Sequence, residues 1–415
     1  MKIGIVTTWA DCGAGHVSLA YARALTASGF EVEIYSRGQY LRHQRWGVCA
    51  SRPWPLHLDR STAGLTRVDP TQFSQWLRNA CPDWLIFNEQ RSWAPVLQAK
   101  AAGVACAAYI DYYRADSLAL FELYDLLFCH TLRHHSVFEH DQRACYIPWG
   151  VDTEYFRPGV RQSTIEHGLE PLVIVHSAGM GGPSDRKGTD LALQACAGVA
   201  GEARLLLHTQ LPRHRWPTTW IRAVQADPRI AVIEEPMAPV AFYQLGDLYL
   251  YPSRLEGIGL TLPEALSCGL AAITTHAPPM SEFVEDGLNG SLVPVQAFRG
   301  RSDGYYWPES WVDPDQLRVC IQRYVDQPSL ARTQGKRARA AMAATRHWPA
   351  LSSQMVSMLQ TQSIRTLSVE QRRHLQRLAQ HQDRLHEPTT ADHFLMGCRS
   401  LVRGWERQFL GRFRR

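Results

Sequence analysis

Residues 251–294 read YPSRLEGIGLTLPEALSCGLAAITTHAPPMSEFVEDGLNGSLVP, and the order of residue types within them decides the fold. An apolar run holding Leu248, Leu250 and Tyr251 predicts a buried strand that enters a loop carrying Glu256. Gly257 and Gly259 come next, and their missing side chains let backbone N–H groups face a ligand. Glu264 follows after seven intervening residues, just inside a helix expected to open at Pro263. A glycine loop feeding a helix N-terminus suits a phosphate, and two flanking carboxylates suit hydroxyls, which donate to charged acceptors. Phosphate together with many hydroxyls describes a nucleotide sugar.

The run from Glu256 to Glu264 resembles the E-x7-E element of retaining glycosyltransferases of the GT-B fold, and particularly family GT4. Ala265–Gly269 and Glu282–Gly290 continue that family's pattern. Tyr146–Asp152 resembles its IPxGVD segment, Phe156-Arg157-Pro158 completes it, and Asp313–Leu317 resumes it further on. The resemblance implies an α/β chain of two Rossmann-like domains with an interdomain cleft, followed by a helical C-terminal extension. Residues 1–158 would form the acceptor side, 159–345 the nucleotide-sugar side, 346–360 a crossover helix, and 361–415 a basic helical tail. It further implies a UDP- or GDP-linked sugar donor, no required cofactor or metal, and a glycan, lipid-linked or small-molecule acceptor in polysaccharide or glycoconjugate biosynthesis.

Composition agrees with such a chain. At 415 residues, with 45% hydrophobic content, 13 Trp, 15 Tyr and 13 Phe, it can bury two sizeable cores, which excludes an intrinsically disordered protein. The ten cysteines are scattered without a C-x-x-C pair, so they read as reduced core residues of a cytosolic protein and not as a disulfide framework or zinc site. The apolar opening Lys2–Val6 is too short for a signal peptide, and no uncharged stretch reaches the roughly 18–20 residues of a membrane span. The expectation is a cytoplasmic protein, peripheral at the inner membrane face at most.

The basic excess is confined to the end. Residues 361–415 hold 11 Arg against 5 acids, a net of +6, so the rest of a chain of net charge +5 carries −1. In the final segment Phe394, Leu401, Trp405 and Phe409 fall near one helical face and the arginines mostly elsewhere. Such a helix suits an anionic membrane surface, and equally docking on the body or on a second copy. Nucleic acid fits poorly, because nothing else in the chain is basic.

Met1–Thr8, a helix from about Val17 to Ser28 and Glu31–Ser36 predict a first β-α-β unit. Gly13-x-Gly15 with Glu31 or Glu33 mimics a dinucleotide fingerprint, but the glycines come late after the strand and Ser18 replaces the third. The resemblance instead turns Gly13, Gly15 and His16 toward the cleft; a plain glycine turn is the alternative. Asp111 ends the strand Val104–Ile110, and strand C-termini of open α/β sheets face the binding crevice. GT4 relatives often have a histidine near that position, so Asp111 is a departure, and it would serve equally as a helix cap.

The second unit begins at Leu172–His176. Gly179, Gly181, Gly182 and Gly188 surround Arg186-Lys187 before a helix Thr189–Val199, a composition suited to a diphosphate. The resemblance assigns Lys187, one of only four lysines, to that diphosphate. Gly181 stands where the family often has an arginine, for which Arg186 or Arg254 would compensate. The expected mechanism has Lys187, Arg186 and the N–H groups of Gly257, Ile258, Gly259 and Leu260 stabilising the leaving group. Glu256 would hold sugar hydroxyls, Glu264 the ribose, and Asp111 would act from the acceptor side. Val295–Val312 is an aromatic insertion that reads as an acceptor contact, a partner patch or loop packing. Two other readings remain: a nucleotide-sugar epimerase or phosphorylase on the same fold, and a non-catalytic partner in a polysaccharide-assembly complex.

Overall fold

The computed structural model describes residues 1–37, 53–59, 67–160, 171–179, 185–362 and 364–385. Much of the segment 39–82, the glycines Gly181 and Gly182, and the aromatic-arginine tail beyond residue 385 therefore lie outside the described residues.

Two parallel sheets carry the architecture. The first is built from β1 (Lys2–Thr7), β2 (Glu31–Ser36), β3 (Leu56–Leu58), β4 (Trp84–Asn88), β5 (Ala105–Tyr109), β6 (Leu126–Cys129) and β7 (Ala144–Tyr146), in the order β3-β2-β1-β4-β5-β6-β7. The second holds β8 (Leu172–Gly179), β9 (Ala203–Thr209), β10 (Ile230–Ile233), β11 (Leu248–Tyr251), β12 (Ala271–Thr275) and β13 (Gly290–Val293), in the order β10-β9-β8-β11-β12-β13. The inner strands are almost continuously apolar, as parallel strands covered on both faces must be: β4 and β5 are buried at every residue. In each sheet the strand order reverses beside the first strand, β1 or β8, and the loop carrying Glu256 leaves the end of β11 at the second of these points.

Helix α1 (Gly13–Ala27) starts four residues before the expected Val17. Cys12 turns back onto Ala10, its N–H 2.7 Å from that carbonyl, and His16 already donates to Cys12 at 2.9 Å. Gly13 and Gly15 are thus helical, not loop, residues. A Cβ on Gly15 would lie 1.9 Å from the Ala10 carbonyl oxygen, so only glycine lets the first helical turn settle there. The helix after Glu256 likewise begins early, at Thr261, and runs to Ser267. Pro263 sits inside its first turn, where a missing N–H costs nothing.

The two halves share one core. Tyr21 of α1 stacks on Trp348, their ring centroids 6.0 Å apart, and Trp149 meets the same indole at 4.5 Å. Trp348 opens the helix Trp348–Thr361, which packs on α1. Where the chain passes between the halves, Val151 N–H donates to the Arg346 carbonyl at 2.8 Å and Trp348 N–H returns to Val151 at 2.9 Å. The buried His130 completes this seam. Its Nδ1 lies 2.7 Å from the Ile147 carbonyl and its Nε2 meets the Tyr21 hydroxyl. Burial pulls its pKa down to about 4, so the ring is neutral.

The aromatic insertion is an antiparallel hairpin, β14 (Val295–Arg299) and β15 (Glu309–Val312), whose tip crosses to the first half. There Tyr305 stacks on Tyr112 at 5.0 Å, and the Trp307 indole N–H donates to the Tyr113 hydroxyl at 2.6 Å. The helix Val369–Leu385 docks on the first half too, burying Leu375 and Ala379. Its Asp383 accepts from Trp93 N–H at 2.9 Å and Ala94 N–H at 3.0 Å, capping the helix Ala94–Ala101.

Candidate functional site

Strand β11 ends at Tyr251 and the chain turns through Pro252–Leu255 to Glu256, which is buried. Its carboxylate lies 2.7 Å from Arg186 and 2.9 Å from Lys187, and accepts the Ser253 hydroxyl at 2.5 Å. Burial alone would raise its pKa. The two cations and the hydroxyl outweigh that and hold the carboxyl well below the usual range. Lys187 also donates to the Tyr251 hydroxyl at 3.1 Å, and burial pulls its ammonium below its ordinary pKa despite Glu256. The loop bearing both cations is tied down by the stretch it serves: Arg254 N–H and the Ser253 hydroxyl both donate to the Arg186 carbonyl, at 2.8 and 3.1 Å.

Beyond Glu256 the backbone enters the left-handed region at Gly259, φ +84°, where a side chain would be strained. Ile258 is buried under this turn and Leu260 half-buried. Glu264 lies on the next helix and accepts the Tyr243 hydroxyl at 2.8 Å. Burial pushes its pKa up to about 7, with that hydrogen bond and the charges of His16 and Lys187 pulling the other way.

The first half faces this turn with Asp111 and the start of α1. A Cβ on Gly257 would be 3.7 Å from the Asp111 Cβ, and one on Gly13 would be 3.9 Å from a Leu260 methyl. Asp111 is pushed up to about 8 by burial and by the negative Glu89, against the pull of Arg91. It does not cap the following helical turn, Ala115–Leu123, whose cap residue is Arg114. His16, exposed, pairs with Asp11 at 2.8 Å, and that hydrogen bond raises its pKa. Glu256, Lys187, Arg186, Gly257, Ile258, Gly259, Leu260, Glu264, Asp111, Gly13 and His16 thus line or border one cleft. Gly15 is turned away from it, buried against Ala10.

Two expectations about the cations need correction. Arg254 does not face the cleft: it is buried and forked onto Asp190 at 2.9 and 2.7 Å, with its guanidinium 3.9 Å over the Trp311 ring. Arg186 is the arginine beside Lys187. Nor are the first amides of the helix Thr189–Ala197 open to a phosphate. Asp185 accepts from Thr189 N–H at 3.2 Å and Asp190 N–H at 2.9 Å, as an N-terminal acid is drawn to do.

Sequence reading missed three participants. Glu89, at the end of β4, has φ +50°, a conformation that non-glycine residues rarely adopt, and its charge acts on both Asp111 and Arg186. Arg133 and Glu282 join the halves: Arg133 donates to the Pro278 carbonyl at 2.8 Å and to the Glu256 carbonyl. Glu282 accepts from Leu132 N–H at 2.7 Å and Arg133 N–H at 3.0 Å. In the sequence Glu89 showed only as a strand-end residue and Glu282 only as the start of the Glu282–Gly290 pattern, and neither showed its contacts. Among the described residues no group of three or more His, Cys, Asp or Glu side chains is placed to hold a metal ion.

Residues 171–300 match the family described as Glycosyl transferases group 1. No curated protein matches the chain. Among solved structures it is similar to sucrose-phosphate synthase from Thermosynechococcus elongatus, with 18% identity, 87% of this chain and 98% of that one covered, and a TM-score of 0.66. It is similar to Anabaena Alr3699/HepE in complex with UDP and glucose, with 15% identity, 87% and 100% covered, and a TM-score of 0.67. A TarM variant from S. aureus, in complex with Fondaparinux, alpha-GlcNAc-glycerol and UDP, shares 11% identity over 71% of this chain and 60% of that one, with a TM-score of 0.57. The match to group 1 glycosyltransferases covers residues 171–300, and the chain as a whole has the GT-B fold of these structures.

Proposed function

We propose that this enzyme transfers a sugar, with retention of anomeric configuration, from a UDP-linked donor to a hydroxyl of a glycan, lipid-linked or small-molecule acceptor. The observation that carries the reading is the Glu256 carboxylate held between Arg186 and Lys187 beneath the Gly257–Gly259 turn, opposite Asp111 of the other half. Two adjacent cations suit a diphosphate, and a carboxylate among them suits the hydroxyls of the sugar it carries. Support for uridine comes from the similar Anabaena protein, described in complexes with UDP and with UDP-glucose, and for a glycan acceptor from the TarM complex with Fondaparinux.

In this mechanism Glu256 accepts sugar hydroxyls and Glu264 those of the ribose. As the bond from the anomeric carbon to the phosphate oxygen breaks, negative charge grows on the diphosphate. Lys187, Arg186 and the N–H groups of the turn would meet it, and such fixed donors are worth about 3–4 kcal/mol each. The acceptor oxygen attacks from the face the leaving group departs, and its proton passes to the departing phosphate oxygen, which yields retention. Asp111, protonated near neutral pH, offers the sugar a donor as well as an acceptor.

The net charge of +6 over residues 361–415 suits an anionic membrane face or an acidic surface of a second copy as docking place. Among the described residues no helix is long and apolar enough to cross a membrane. The direct test of the whole reading is UDP release from UDP-glucose with an acceptor panel, and NMR of the product's anomeric configuration. Lys187→Ala and Glu256→Ala should each abolish release in a folded protein. Unchanged rates in both, or an inverted product, would sink it.

A further inference from the structure

We propose that Arg133 is a positioning residue for the donor site: it pins the Glu256 carbonyl from the other half of the molecule and so sets the direction of the Gly257 amide. This rests on the donor reading above. Arg133 is in the first turn of the helix Leu132–Phe138, at the end of β6, and is only 7% exposed. Its charge acts on the Glu282 carboxyl without a direct contact between the side chains. It spends its donors on two backbone carbonyls of the second half, Pro278 at 2.8 Å and Glu256, while the Trp307 ring of the crossing hairpin lies 5.5 Å from its charge.

The Arg133 charge is offset only at a distance, by Glu282, and a buried guanidinium with no carboxylate in direct contact is costly, whereas an apolar side chain would fill the same space more cheaply. What the arginine adds is direction. The carbonyl of Glu256 and the N–H of Gly257 belong to one planar trans peptide and point in opposite senses. Fixing the carbonyl toward Arg133 therefore fixes where that N–H points, and it is among the amides the donor would meet. The neighbouring His134 does not compete as a cation, since burial and the Arg133 charge hold its pKa well below the usual value.

Glu282 works on the same helix from the second half. Its two carboxylate oxygens take the N–H groups of Leu132 and Arg133, and the Arg346 guanidinium holds its backbone carbonyl at 3.1 Å. The halves are therefore joined reciprocally, one by a cation on carbonyls and the other by a carboxylate on amides. Both contacts meet within a few residues of Glu256.

The test is hydrogen–deuterium exchange on the full chain, with Arg133→Lys and Glu282→Gln compared with the wild type, each free and with UDP, alongside UDP affinity by calorimetry. Lysine keeps the charge and loses the fork, and glutamine keeps the shape and loses the charge. A hydrogen bond to a charged group gone from each should speed exchange of the 256–264 amides about tenfold or more while the strands of both sheets keep wild-type protection. UDP affinity should fall with that local loosening. Unchanged exchange at 256–264 in both variants, or a uniform increase across both sheets in both, overturns the inference. If the wild type binds no UDP, the donor reading fails, whereas exchange in the free protein still decides whether Arg133 orders the turn.

Discussion

Glu256→Gln separates a binding carboxylate from a merely structural one. Glutamine keeps the size of the side chain and an oxygen for the Ser253 hydroxyl, but removes the charge facing Arg186 at 2.7 Å and Lys187 at 2.9 Å. Each such pair is worth about 6 kcal/mol in Coulomb energy at an effective dielectric near 20. Against this, releasing a buried carboxylate from its desolvation returns several kcal/mol. Breaking a buried pair nets about 3–5 kcal/mol of lost stability, because the remaining cations are left uncompensated. Here those cations are adjacent in sequence and would repel each other.

The informative step is what UDP does next. In the wild type its diphosphate must compete with Glu256 for Arg186 and Lys187. In the variant it supplies the missing anion. UDP should therefore bind Glu256→Gln about tenfold more tightly, an added stabilisation of roughly 1.4 kcal/mol at saturating ligand. Turnover should nonetheless fall about 100-fold or more, since the charge that orients the sugar hydroxyls is gone. Thermal unfolding across a UDP titration, together with UDP release from UDP-glucose, measures both. A UDP-induced rise in Tm smaller in the variant than in the wild type would refute the placement of the diphosphate on this cation pair.

Three further outcomes follow from particular contacts. Gly15→Ala should cost about 3 kcal/mol or more, because its Cβ would meet the Ala10 carbonyl at 1.9 Å, whereas Gly13→Ala, 3.9 Å from Leu260, should fold normally; urea titration distinguishes them. Glu264, pushed up to about 7 from an ordinary 4.5, accepts ribose hydroxyls best when ionised, so UDP affinity should rise between about pH 6 and pH 8. Its effect on stability has the opposite sign: a raised carboxyl favours folding below its unfolded value, and that contribution is lost as pH rises through about 7. Glu264→Gln should flatten both profiles, leaving the weaker drift from His16, which loses its positive charge as pH rises through its raised pKa. Asp383→Ala should cost about 1–2 kcal/mol and loosen exchange in 92–101, since it caps that helix from a distant part of the chain.

The donor half was legible because its chemistry is contiguous. The strand, the turn and both glutamates fall within Leu248–Glu264, so one short run carries both the strand-to-helix pattern and the family resemblance. The misreadings were local contests in both halves: Gly13 and Gly15 signalled a loop, but a tight Cys12 turn made them the first helical turn, and Asp185 took the helix amides that composition offered to a phosphate. The opposing half could not be read this way. Arg133 reaches the Glu256 carbonyl across 123 residues, and the Tyr305 hydroxyl reaches the Asp111 carbonyl across 194. Neither partner carries a motif, because a backbone carbonyl is present at every residue and only the fold selects one. The same reason makes these contacts discriminating. A side-chain motif fixes which groups can hold a donor, whereas a guanidinium on one chosen carbonyl fixes how the loop between the halves is turned. Substitutions at Glu256 should accordingly alter what is bound, and substitutions at Arg133 how well it is aligned.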